Sequence, residues 1–178
     1  RLVNQGITDF IGAARPSIAD PFLPQKIEQG RVEDIRECIG CNICVAGDWM
    51  AVPIRCTQNS SMGEEWRRGW HPERIAPKPA DAPADTKVLV VGAGPAGLEA
   101  ALWLGRRGYE VVLTEATRTL GGRVAREARL PGLAEWARVA DHRVGQLAKL
   151  PNVLVTLESP MTADEIAGYD FTHVAVAT

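Results

Sequence analysis

The four cysteines of the chain all fall between Cys38 and Cys56, in the pattern C-x2-C-x2-C-x11-C formed by Cys38, Cys41, Cys44 and Cys56. A thiolate is a soft ligand suited to iron, zinc or copper(I). Structural disulfides usually spread along a secreted domain and close long loops, so this crowding speaks for a metal or cluster site. Three cysteines separated by two residues each can wrap one face of a cubane iron–sulfur cluster, and a later fourth can close it. Zinc sites more often take their cysteines as two pairs, and zinc stands as the second reading, ahead of free thiols. Gly40 and Asn42, between the ligands, allow the tight backbone that such a site needs.

A second constellation lies further on. VLVVGAGPAGLEAALWL holds Gly92, Ala93, Gly94, Pro95, Ala96 and Gly97 in the order G-x-G-x-x-G. The glycines follow a Val-rich run and open a helical pattern, and Glu115 ends the next strand roughly 20 residues further on. That is the dinucleotide fingerprint. Gly92 makes the tight turn, Gly94 admits the pyrophosphate, and Gly97 lets helix and strand pack closely. The helix start offers free N–H groups to the phosphates, and Glu115 is placed to accept from ribose hydroxyls.

The elements that must position these groups differ in kind. From Lys87 onward, strands are expected at Lys87 to Val91, Glu110 to Thr114, Val153 to Leu157 and over THVAVAT. Helices are expected after Pro95, around Leu133 to Leu150 and over ADEIAGY, with Gly108 as a C-cap. Strands alternating with helices predict a parallel α/β sheet. Before it, Val32 to Pro79 has few and aperiodic apolar residues, so metal ligands rather than a core must tie it down. The stretch Arg1 to Arg31 reads as loop-rich, with one short helix at Pro24 to Gln29. APKPADAPADT, Ala76 to Thr86, is the strongest boundary signal.

Composition narrows the classes. The chain has 178 residues, 46% hydrophobic and 24% charged, with net charge −2. Those values exclude a disordered tail, and the absence of any Lys/Arg block speaks against a nucleic-acid partner. The most apolar stretch, Val88 to Gly105, carries internal glycines, Pro95 and Glu99, so a strand–turn–helix is expected there and no membrane partner. RLVNQGITDF has no apolar signal core, and the expected location is the cytoplasm. His71, in GWHPER, reads as a structural turn residue. EEWRR at Glu64 to Arg68 reads as a solvated turn, or else as a cover over the cysteine site or a contact for a redox partner, with Trp66 and Trp70 packed beneath. Arg106 and Arg107 read as a solvated helix end.

Three blocks together resemble one family. GAARPSIADPFLPQKIEQGR resembles the last part of an old-yellow-enzyme-type TIM barrel. CIGCNIC with CTQNSSMGEEWRRGWHPER resembles the cluster segment of trimethylamine dehydrogenase and its relatives, the dimethylamine and histamine dehydrogenases and N-methyl amino-acid demethylases. GAGPAGLEAALWLGRRGYEVVLTEA, GGRVAREARLPGLAEW and PMTADEI resemble the adenine-dinucleotide domain of that family.

The resemblance implies an α/β organisation: the end of an FMN-binding TIM barrel at 1–31, a 4Fe–4S segment at 32–79, a linker at 80–86, and a truncated Rossmann-like domain at 87–178 for FAD or ADP. It implies that Cys38, Cys41, Cys44 and Cys56 ligate the cluster and that Ala14 and Arg15 hold the FMN phosphate. Gly92 to Gly97, Glu115, Gly122 and Arg123 then face the dinucleotide. The implied activity is oxidation of an amine or N-methyl compound, giving an iminium that hydrolyses to amine and aldehyde, with electrons passing to an electron-transferring flavoprotein. The full-length protein is expected to be a homo-oligomer and this chain an internal piece of it. No catalytic residue is expected here, because the family's substrate pocket lies in earlier barrel strands. The same architecture serves NADPH-dependent 2,4-dienoyl-CoA reductases, the alternative enzyme reading. An electron-transfer or nucleotide-binding module is the non-enzyme alternative.

Overall fold

A computed structural model describes residues 2–178. Its centre is a four-stranded, wholly parallel sheet in the order β3-β2-β1-β4, built from β1 (Lys87–Val91), β2 (Glu110–Thr114), β3 (Val153–Thr156) and β4 (His173–Val176). The Val-rich β1 is buried from Val88 to Val91, as a strand flanked on both sides must be. Between strands run α5 (Pro95–Arg106), α6 (Gly122–Glu127), α7 (Arg138–Leu147) and α8 (Ala163–Gly168). Helix α5 turns Leu98, Ala101, Leu102 and Gly105 to the sheet, matching the 3.6-residue period. Gly108 follows α5 with φ +88, the left-handed residue expected past a helix end. Among the described residues, α8 is the one helix with a full capping box, from Thr162 and Glu165.

The chain winds outward from β1 to β2 to β3 and then returns to lay β4 on the other side of β1. That reversal opens a crevice at the C-terminal end of β1, the place where open α/β sheets bind ligands. Gly92 occupies it.

The preceding segments hold four short helices, α1 (Ala14–Ala19), α2 (Leu23–Glu28), α3 (Ile43–Trp49) and α4 (Glu65–Arg68). Helices α1 and α3 were not expected. Asn42 enters α3 in the left-handed conformation, φ 58, and Cys44 rides on its first turn. EEWRR is solvated as expected, wound into the single turn of α4 with Glu65 to Arg68 exposed, while Glu64 is buried and takes ion pairs from Arg55, Arg67 and Arg68. Trp66 is 97% exposed, so it is not packed beneath that turn. Arg106 is drawn inward to donate to Gln146 Oε1, which corrects the solvated helix end.

Polar ties replace a core in this half. Lys26 Nζ is buried and bonds Asp20 (2.7 Å), Glu73 (2.8 Å) and the Asp34 carbonyl (3.0 Å). Asp20 also accepts from the Arg36 and Phe22 N–H groups, and Asn59 donates to the Ile18 carbonyl. The chain exposes 11301 Å², where a self-contained monomer of its mass exposes about 8,500 Å². Much of the excess is apolar, from Ile7, Phe10 and Ile11 near the start to Trp49 and Met50 at the end of α3.

Candidate functional site: a cysteine cavity and a paired glycine turn

All four cysteines line one small cavity, closed further by Ile18, Ile39, Ile43, Thr57 and Gln58. They arrive from three kinds of backbone. Cys38 and Cys41 lie on irregular chain, Cys44 on α3, and Cys56 on the loop after it. Donors point at the sulfurs. The Gly40 N–H reaches Cys38 Sγ at 3.4 Å, Cys41 Sγ lies 3.2 Å from Thr57 Oγ1, and the Asn59 and Gln58 amides favour the Cys56 thiolate. Burial pushes the Cys56 thiol up, the two amides pull the other way, and the nearby Cys41 and Cys38 thiols add to the rise. Among the described residues no three His, Cys, Asp or Glu side chains converge within reach of a single ion. The thiols therefore surround a shared space rather than a point. That suits a multi-atom cluster with sulfur-directed N–H donors better than one tetrahedral zinc.

Arg15 also lines this cavity, and its Nη1 donates to Asn42 Oδ1. Ala14 and Arg15 begin α1 on an exposed face. The residue matched to the FMN phosphate thus abuts the cysteines.

The glycine turn joins β1 to α5. Gly92 has φ +98 and lies close to the Ala177 carbonyl at the end of β4. A Cβ at Gly97 would collide with the Gly92 carbonyl oxygen. These two glycines are required by the protein itself. Gly94 is different: its φ of −69 suits any residue, and nothing lies within 4 Å of where its Cβ would stand. The chain leaves that space open, as the close approach of a pyrophosphate requires.

The second turn packs directly on the first. Gly121 N–H donates to the Ala93 carbonyl at 2.8 Å, and a Cβ at Gly122 would stand 3.1 Å from Gly94 Cα. Glu115 is buried at the end of β2, where its carboxylate accepts from the Ala93 N–H (3.0 Å) and from Thr117 N–H and Oγ1. Burial alone would raise its pKa, but these bonds hold it below the usual carboxylate value. Pro95 and Ala96 form the first turn of α5. Arg123 points into solvent and pairs with Glu127 on α6. The geometry therefore brings Gly92, Ala93, Gly94, Glu115 and Gly122 together and leaves Arg123 at the margin.

Sequence reading missed the residues that join the two sites. Arg143, 3% exposed on α7, bonds Glu99 on α5, the Gln58 side chain and the Thr57 carbonyl. Trp103 Nε1 on α5 donates to Ser60 Oγ and Glu99. Arg143 holds Glu99 below the usual carboxylate value despite burial. His71 has the turn role expected, with Nδ1 accepting from the Glu73 and Arg74 N–H groups. A further groove of about 730 Å³ runs along the outer face of α5, lined by Trp70, Trp103 and, at its end nearest the glycine turn, Ala96.

Residues 87–150 match the family described as FAD dependent oxidoreductase. The whole chain aligns with dimethylamine dehydrogenase of Hyphomicrobium sp. (strain x), 52% identical over 184 residues that cover 100% of this chain and 24% of that protein. The chain belongs to the trimethylamine dehydrogenase-like family of flavoprotein oxidoreductases. Two structures of trimethylamine dehydrogenase-like proteins superpose closely. Histamine dehydrogenase from Rhizobium sp. 4-9 gives a TM-score of 0.95 at 60% identity, covering 100% of this chain and 25% of that one. 6-Hydroxypseudooxynicotine amine oxidase from Pseudomonas geniculata N1 gives 0.94 at 55% identity, covering 99% and 26%. The chain spans about a quarter of the length of these family members. No helix among the described residues is long and apolar enough to cross a membrane.

Proposed function

We propose that this chain is the redox-relay portion of an amine- or N-methyl-compound dehydrogenase. In this reading residues 1–31 end an FMN-binding TIM barrel, 32–79 hold a 4Fe–4S cluster, 80–86 are a linker, and 87–178 are the first part of a Rossmann-like domain for FAD or ADP. The observation that carries it is that Arg15, matched to the flavin phosphate, lines the same cavity as Cys38, Cys41, Cys44 and Cys56. When bound, the flavin and cluster supply two-electron oxidation of substrate and one-electron transfer onward.

The chain's own residues bind and orient. The four thiolates supply ligands, and the amides of Gly40, Gln58 and Asn59 stabilise negative charge on their sulfurs. Arg15 offers a planar cationic fork to an anion. Gly94 leaves room for a pyrophosphate at the start of α5, and Glu115 holds the Ala93 amide in the turn. Dimethylamine dehydrogenase and histamine dehydrogenase, at 52% and 60% identity, act on amines by name, whereas 2-naphthoyl-CoA reductase and cinnamate reductase match at 34% and 33%; that ordering supports an amine or N-methyl substrate over an enoate. An electron-transferring flavoprotein as acceptor, a homo-oligomer and a cytoplasmic setting complete the proposal.

The test uses the full-length protein that contains this chain. Under anaerobic conditions its flavin absorbance is followed after adding dimethylamine, histamine or N-methylated amino acids, and separately NADPH. Bleaching by an amine and not by NADPH is the expected result. Bleaching by NADPH alone overturns it in favour of the reductase.

A further inference from the structure

The loop that follows Cys56 serves two of the sulfurs: Thr57 Oγ1 lies 3.2 Å from Cys41 Sγ, and the Gln58 and Asn59 amides favour the Cys56 thiolate. What fixes that short loop lies outside it. The Gln58 side chain is 1% exposed; its Nε2 donates to the Glu37 carbonyl (3.0 Å) and the Arg138 carbonyl (3.3 Å). Its Oε1 accepts from Arg143 Nη1 at 2.9 Å, and Arg143 Nη2 donates to the Thr57 carbonyl at 3.3 Å. The guanidinium is itself fixed, by Glu99 at 2.6 Å and the Val139 carbonyl at 2.8 Å. One buried cation on α7 thus grips both residues that follow Cys56.

We propose that Arg143 is a positioning residue for the cysteine site: it locks the 57–59 loop so that Thr57 Oγ1 stays on Cys41 Sγ and the loop amides stay beside Cys56, and it thereby makes the bound cluster easier to reduce. The inference rests on reading the four cysteines as cluster ligands. Its sign follows from charge. Reduction adds negative charge that spreads onto the ligand sulfurs, and N–H donors there favour the reduced state. A lysine at 143 keeps the charge but presents three donors on one nitrogen, not a rigid fork that can serve Glu99, Gln58 and Thr57 together.

The experiment is an EPR-monitored redox titration of the full-length holoprotein, with iron and sulfide counted in each sample. Arg143→Lys and Gln58→Leu are each expected to make cluster reduction about tenfold less favourable, a fall of about 59 mV for a one-electron couple. Asp34→Asn is the control. It neutralises the carboxylate that accepts from Gln146 in the last turn of α7 and from Lys149 just past it, and leaves the 57–59 loop untouched, so its potential is expected to match wild type. EPR reads only loaded chains, so partial loss of iron in a variant leaves the comparison intact. Unchanged potentials in Arg143→Lys and Gln58→Leu overturn the positioning role, as does an equal fall in Asp34→Asn. Absence of iron and sulfide from the wild type overturns the cluster reading itself.

Discussion

Glu115 accepts a hydrogen bond from the backbone N–H of Ala93 at 3.0 Å, tying the end of β2 to the middle of the glycine turn. A carboxylate accepts there; an amide side chain can turn an N–H toward the same donor. Hydrogen bonds to a charged partner contribute about 1.5–3 kcal/mol. Glu115→Gln is therefore expected to weaken adenine-dinucleotide retention by roughly tenfold or more, measured as nucleotide released from the full-length protein after dialysis. Because these bonds hold the Glu115 carboxyl below the usual value, wild-type retention should stay flat as pH falls from 7 to 5. A loss over that range would show that Glu115 does not set the turn.

The glycines at 94 and 97 separate binding from folding. Gly94→Ala meets open space at an ordinary φ, so the thermal midpoint is expected to stay at the wild-type value while nucleotide binding falls. Gly97→Ala drives a Cβ into the Gly92 carbonyl and is expected to cost about 3 kcal/mol of stability. Equal nucleotide affinity in Gly94→Ala and wild type, by calorimetry, would deny that a ligand fills that space.

Cys41 sits against the core of the sheet unit as well as in the cysteine cavity. Cys41→Ser nearly preserves its volume but removes a soft ligand. The expected result is loss of the cluster EPR signal and of electron transfer to an external acceptor, with substrate still bleaching the flavin. Output at the wild-type rate would remove the cluster from the relay.

His142 carries the acid sensitivity. Burial, together with Arg36, Arg143, Lys26 and Arg106, lowers its pKa to about 3, and its Nε2 is buried with no partner. The folded value lies below the unfolded one of 6.5, so the unfolded chain takes up the extra proton. Stability is whole above pH 6.5 and falls as pH drops toward 3, by about 1–2 kcal/mol at pH 5. His142→Leu is expected to flatten that slope in urea melts at pH 7 and 5. An unchanged slope would assign the loss to other groups.

Much of the sheet unit was legible because its signals are local. A Val run, three glycines and an acid at the next strand end place β1, α5, β2 and the turn between neighbouring residues of the sequence. The long helix expected over Leu133 to Leu150 is shorter: Ala134–Ala137 is a 3-10 turn and α7 begins only at Arg138. Helix α3 was not legible, since ICVAGDW has no apolar period and is shaped by the ligand spacing and the left-handed Asn42. The grip of Arg143 on Gln58 was not legible either. The partners lie 85 residues apart, and although Gln58 falls within the CTQN block, nothing in that block points to Arg143. Only the three-dimensional meeting of α7 with the Cys56 loop gives them a role.

That separation has a consequence for how the protein is made. The cysteines leave the ribosome well before Arg143, and at about 5–20 residues per second the delay is roughly 4–17 s. During that interval the loop after Cys56 has its ligand but not its clasp. On the proposed cluster reading, a chain made only as far as the residue before α7 carries all four ligands but leaves the loop after Cys56 without the side chain that fixes it.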